Sequence, residues 1–220
     1  MKQRSFNQNM LRLVPSSGGI SQAFSKFLDI AVAMNSNDDN PMYMKNLLIS
    51  YDRQERYLFM ETYMSLVMEM TGDGEGLTDV LGEFFSCYIG NGHFFTNQKY
   101  YDILPGLIRS DGLSFRVADY HCRTGRRLLA AAKFNRSLRF FGADPDITMV
   151  RITLLNLCMN GLYGEVAWYD VKYDNFFSVW SVDLDYKGKP SIRKLEDEKS
   201  LLFQKRAGSL PVTSRLIFNF

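Results

Sequence analysis

Histidine and cysteine are scarce in this 220-residue chain: His93 and His121, with Cys87, Cys122 and Cys158. Three cysteines without paired spacing argue against a disulfide framework and a thiolate metal site, which points to a reducing, cytoplasmic setting. Two histidines are too few for a histidine-based metal cluster, so no metal is expected. Apolar runs of membrane-spanning length are missing, and the polar start over residues 2–9 lacks the apolar core of a signal peptide. A charge excess is missing too: 26 basic against 24 acidic residues leave +2. That balance gives no electrostatic footprint for a protein that holds nucleic acid by itself, and the small clusters Arg123/Arg126/Arg127 and Arg136/Arg139 read as solvated helix ends. Proline is sparse, six in all, and no two are adjacent. What is present is ordinary globular composition, 46% hydrophobic and 23% charged, in a chain long enough for one domain with a sizeable core.

Residues 1–19 are polar, end in Pro15-Ser-Ser-Gly-Gly19, and read as a flexible arm. From Ser21, Phe24, Phe27, Leu28 and Ala31 recur at helical spacing, and the helix should stop before Asn35. Past Pro41, apolar stripes such as Phe59, Tyr63, Leu66, Val67 and Met70 predict one or two helices ending at Gly72-Asp-Gly74. Their abundant Met is core filler, since its flexible side chain packs gaps between helices. Residues 20–110 thus read as a helical region.

From residue 111 short β-rich runs alternate with helices. Strand 115–119, helix 125–134, strand 139–142, helix 147–160 and strands 165–169 and 177–182 favour a parallel sheet with crossover helices. In such a sheet ligands sit outside the carboxyl ends of the strands, where Asp119, Asp144, Asp170 and Asp183 are expected. A carboxylate ending the second strand is placed to accept from ribose hydroxyls, which singles out Asp144. Gly125 suits a turn that lets backbone approach a cofactor, whereas Arg123 and Arg126 do not.

Four ordered segments resemble the adenine amino-methyltransferases of type I restriction-modification systems. Asp79-Val-Leu-Gly-Glu83 is similar to their Asp-x-Leu-Gly-Glu lead-in, and Gly92-His-Phe-Phe-Thr-Asn97 to their Gly-Gln-Phe-Phe-Thr-Pro segment. Asp119-Tyr-His-Cys-Arg-Thr-Gly-Arg126 resembles the Asp-Pro-x-Cys-Gly-Thr-Gly-Gly/Arg loop. Phe141-Gly-Ala-Asp144 and Asn156-Leu-Cys-Met-Asn-Gly161 resemble the following strand end and helix. The likeness covers about Asp79 to Tyr186. Asn97, Tyr120 and Arg123 depart from it, standing where the family has Pro, Pro and Gly.

The resemblance implies an α/β, Rossmann-like S-adenosylmethionine-dependent methyltransferase fold over residues 111–220, truncated and with a helical N-terminal extension. It implies that Thr96, Asp119, Cys122, Thr124 and Gly125 line the methionine side of the cofactor, that Asp144 holds the ribose and that Asp170 faces the adenine. In the family an Asn/Asp-Pro-Pro-Tyr/Phe loop holds and stacks on the flipped target base. The matching place here reads Asp183-Leu-Asp-Tyr186, which would make Asp183 the amine acceptor and Tyr186 the stacking ring. Loss of the rigid Pro-Pro pair implies weak or absent methyl transfer, because a misplacement of about an ångström can cost on the order of a hundredfold in rate. The same residues also read as a plain β-hairpin, strands 177–186 and 191–194 about a Lys187-Gly-Lys-Pro190 turn. DNA and a specificity-type partner subunit are the implied partners. The rival is a noncatalytic DNA-associated or protein-interaction scaffold, in which Arg123 would fill the cofactor pocket.

Overall fold

The computed structural model describes residues 5–36, 46–49, 51–71, 77–90, 116–206 and 216–218. Helix α1 (Phe6–Ser17) occupies most of the segment expected to be an arm. Ser5 and Gln8 form a reciprocal capping box at its start, and Gly18, left-handed at φ 82°, ends it. Phe6, Met10 and Leu13 recur at helical spacing and are fully buried, while the polar Asn7, Gln8 and Arg12 between them hide that stripe in a composition reading. Helix α2 (Ile20–Met34) stops at Asn35 as expected and begins one residue before Ser21, with Gly19 at its N-cap. Helix α3 (Arg53–Thr71) is one continuous helix, and α4 (Val80–Tyr88) follows, capped by Asp79. The segment 72–76, including Gly72-Asp-Gly74, lies outside the described residues.

The alternating part runs β1 (Arg116–Asp119), α5 (Arg126–Phe134), β2 (Arg139–Asp144), α6 (Ile147–Met159), β3 (Tyr163–Asp170), β4 (Asn175–Leu184) and β5 (Pro190–Leu195). After a short 3-10 turn come α7 (Leu201–Arg206) and β6 (Leu216–Phe218). The six strands form a mixed sheet in the order β5-β4-β3-β2-β1-β6. Strands β6, β1, β2 and β3 are parallel, whereas β3-β4-β5 is an antiparallel meander. The wholly parallel expectation therefore holds for only part of the sheet. Short turns at 171–174 and 185–189 leave no room for the crossover helix that a parallel neighbour requires.

Side chains alternate across the strands, so the sheet builds two cores. Phe140, Val166 and Val182 face the larger one with α1–α6, in which Phe6, Phe24, Phe27 and Phe84 form an aromatic cluster. Phe141, Ala143, Ala167, Tyr169 and Val179 face the smaller one with Leu202 of α7. There the buried Glu165 accepts from Ser200 Oγ at 2.8 Å and Leu201 N at 2.9 Å, anchoring the start of α7 to β3. Helices α5 and α6 lie on one face and α7 on the other, because the chain moves β1→β2→β3 in one direction and returns to place β6 on the far side of β1.

Candidate functional site

That return makes the boundary between β1 and β6 the point where strand order reverses, the place at which open α/β sheets form a crevice outside their carboxyl ends. Asp119 ends β1 there, level with Phe218 of β6. The chain then turns through Tyr120 to Gly125 into α5. Gly125 sits at φ 80°, where a side chain is strained, and a Cβ added to it would lie 3.0 Å from Thr153 Cγ2, so any larger residue also needs Thr153 to give by a few tenths of an ångström. Arg123 also adopts a left-handed conformation, φ 50°, at the position where the resembled family has glycine.

The loop is fastened on three sides. Cys122 N donates to Ala143 O at 3.0 Å and Arg123 N to Asp144 Oδ2 at 2.9 Å, which bind it to the end of β2. Thr153 Oγ1 on α6 donates to Arg123 O at 2.7 Å. From the N-terminal helices, Asp79 Oδ2 accepts from Thr124 Oγ1 at 2.8 Å and from Arg126 Nε at 2.5 Å. Its Oδ1 accepts from Gly82 N at 2.8 Å and Asn156 Nδ2 at 2.7 Å, and the same Asn156 amide reaches Thr124 O at 2.8 Å.

Three carboxylates in this region are buried. Asp119 is 1% exposed; its Oδ1 accepts from Arg127 Nη2 at 2.8 Å and His121 N at 3.2 Å, while Oδ2 has no hydrogen-bond partner among the described residues. Asp144 is 6% exposed and accepts from Arg123 N on one oxygen and Asp146 N, at 3.0 Å, on the other. Burial pushes the pKa of Asp79, Asp119 and Asp144 up, opposed by Arg126 at Asp79, by Arg127 at Asp119 and by backbone donors at Asp144. Burial also raises the Cys122 thiol well above its ordinary value, and neighbouring Asp144 and Asp119 push the same way. That thiol is a neutral packing group, not a nucleophile.

The residues singled out in the sequence therefore divide. Asp119, Cys122, Thr124, Gly125 and Asp144 are brought together at the carboxyl edge. Within that group, Cys122 packs beside Thr153 and Thr124 turns its hydroxyl inward to Asp79, so their side chains hold the loop. Asp170 ends β3 on the same edge, two strands from β1, where Oδ1 accepts from Lys172 N at 3.0 Å and Tyr173 N at 3.3 Å and closes the β3–β4 turn. Thr96 lies outside the described residues.

Asp183 and Tyr186 are not brought to this edge. Because β4 runs antiparallel to β3, Val182 pairs with Gly164 near the start of β3, and Asp183 meets Arg139, the first residue of β2, at 3.6 Å. Asp144 is five residue rises away at the other end of β2, roughly 17 Å at about 3.3 Å per residue. Tyr186 follows in the β4–β5 turn, 84% exposed, with Lys187 Nζ 5.2 Å from its ring centroid. The hairpin reading describes these residues, and the picture of four carboxylates on one edge reduces to three.

Sequence reasoning missed Asp79, Asn156 and Arg127 as site residues. Asp79 had a visible signal, an Asp ahead of the apolar helix α4, and Asn156 had another, an amide inside an otherwise apolar helix. A cleft of about 590 Å³ reaches the Asp79–Arg126 pair from the α4–α5 side; neither Asp119 nor Asp144 lines it, so it is separate from the strand-edge site.

No family model matches the chain, and no curated protein matches it. One solved structure is similar: the type I restriction-modification system methyltransferase subunit from Streptococcus thermophilus, at 17% identity and a TM-score of 0.37, over 71% of this chain and 36% of that one. The chain thus spans about a third of that subunit's length.

Proposed function

We propose that this chain is a methyltransferase-like protein with a Rossmann-like half-fold that binds S-adenosylmethionine at the carboxyl edge of β1 and β2, related to the DNA adenine amino-methyltransferases its sequence resembles. The observation that carries the reading is the strand-order reversal at β1, beside a buried Asp119 oxygen that has no hydrogen-bond partner among the described residues. An orphaned buried carboxylate oxygen is costly unless a donor meets it, and the cofactor's ammonium group is such a donor.

The remaining residues fit the group in part. Each Asp144 oxygen uses one lone pair on a backbone amide, which leaves acceptor capacity for ribose hydroxyls. Gly125 opens α5 without a side chain, and Arg127 holds Asp119 and the His121 carbonyl in place beside it. When bound, the cofactor supplies an electrophilic methyl group. The chain's own part is to hold the ammonium and ribose ends and fix the loop between them. Asp183 and Tyr186 have no place in that work, so methyl transfer by this chain alone should be weak or absent. DNA contact, in this reading, comes through a specificity-type partner subunit, in keeping with the net charge of +2.

A noncatalytic scaffold is the second reading, favoured by the distance of Asp183 and Tyr186 from the loop. Its stronger form, with Arg123 filling the pocket, is opposed by the exposure of the Arg123 side chain. Calorimetric titration with S-adenosylmethionine separates the two. Saturable heat that is lost in Asp119→Ala and Asp144→Ala supports the cofactor reading; no heat and no thermal shift at millimolar ligand sinks it.

A further inference from the structure

We infer that Asp79, on the connection into α4, is a positioning residue for the cofactor loop, so that the N-terminal helices form part of the cofactor-binding unit. The inference rests on the S-adenosylmethionine reading of the loop. Asp79 is 7% exposed, and its two oxygens receive four donors from three separate places: Gly82 of its own helix, Thr124 and Arg126 on either side of Gly125, and Asn156 of α6. A carboxylate has about four acceptor positions, so every one is used.

The geometry distinguishes a clamp on the loop from general helix packing. Thr124 and Arg126 flank the left-handed Gly125, and Asn156 ties the Thr124 carbonyl to the same carboxylate. These contacts hold both sides of the one turn whose backbone must pass close to the cofactor. Arg123, strained at φ 50°, precedes this clamp by one residue and is held through its own N–H and C=O. Removal of the Asp79 charge leaves Arg126 without its 2.5 Å partner and releases Gly125 from that side.

A second ion pair provides the control. Asp29 on α2 meets Arg151 on α6 at 2.6 Å, joining the N-terminal helices to the same crossover helix without touching the loop. Asp79→Asn and Asp29→Asn are compared by amide hydrogen exchange and by calorimetric titration with S-adenosylmethionine, with exchange of the Phe140 and Phe141 amides of β2 as the measure of global stability. The expected result is that Asp79→Asn speeds exchange at residues 122–125 at least tenfold beyond the change in β2 and weakens ligand affinity about tenfold, while Asp29→Asn does neither. Loop exchange that rises only in step with β2, or affinity equal to wild type despite a loosened loop, overturns the inference. Failure of the wild-type chain to bind defeats the cofactor reading, and the exchange comparison still decides whether Asp79 clamps the loop.

Discussion

The Arg123 amide donates to Oδ2 of Asp144 at 2.9 Å, so the carboxylate that ends β2 also sets the backbone of the loop that follows β1. Asp144 joins the two strand ends a nucleotide cofactor would span. Substitution of Asp144 should therefore disturb both the ligand and the loop, and loop strain should be visible in Arg123 itself.

Arg123→Gly tests that strain. A left-handed L-residue costs roughly 1–2 kcal/mol, and glycine's extra unfolded-state freedom takes back part of the relief. The expected outcome is a gain of about 0.5–1 kcal/mol, read as a higher urea midpoint with unchanged slope. A lower midpoint would show that the Arg123 side chain contributes more than its backbone costs.

Gly125 and Gly188 share nearly the same backbone, φ 80° and 77°, but only Gly125 is crowded, by Thr153. Alanine at either site meets the left-handed penalty of about 1 kcal/mol. Gly125→Ala should cost at least about 1 kcal/mol more than Gly188→Ala, since Thr153 must move and its 2.7 Å bond to Arg123 O is disturbed. Equal losses in denaturant melts would mean that α6 does not constrain the loop.

The pH dependence follows from burial of Asp119. Its pKa is raised in the folded chain, so its stabilising contribution is fully present below the unfolded value of 3.8 and is lost as pH rises through the folded value. Stability of the wild type relative to Asp119→Asn should then increase as pH falls from neutral towards that value. Affinity for the cationic ligand should move the other way, weakening at a higher pH than an ordinary carboxylate would give, because the protonated oxygen no longer attracts the ammonium group. A flat difference in stability across this range contradicts the burial.

Asp183→Ala and Tyr186→Ala serve as the negative pair. The Arg139–Asp183 contact is exposed on both sides and worth at most about 1 kcal/mol, so stability should barely change. S-adenosylmethionine affinity should stay within about twofold, since both residues sit at the opposite edge of the sheet, beyond the Arg139 end of β2, which is itself roughly 17 Å along the strand from Asp144. A tenfold loss of affinity in either variant would restore them to the site.

The β1-loop-α5-β2-α6 unit was legible because each part carries a local signal: a short apolar strand, a glycine turn, an Ala/Leu helix, an Asp at each strand end. The direction of β4 was not. A strand ending in Asp looks the same along the chain whichever way it lies in the sheet, and only the short turns about it separate a hairpin from a crossover. Asp79 was hidden for another reason. Its partners Thr124, Arg126 and Asn156 lie 45 to 77 residues away in sequence, and no local pattern marks a carboxylate that will meet four donors after folding. Helix α1 was missed because Asn, Gln and Arg between its apolar positions outweigh them in composition, although the spacing of Phe6, Met10 and Leu13 was there to be read.

Amide hydrogen exchange with and without saturating S-adenosylmethionine tests the central claim most directly, because it locates the ligand as well as detecting it. The proposed cofactor site predicts protection at residues 119–125 and 142–146, with none at 183–187. Protection at the β4–β5 turn, or no protection anywhere at millimolar ligand, contradicts a cofactor site at the Asp119–Asp144 edge.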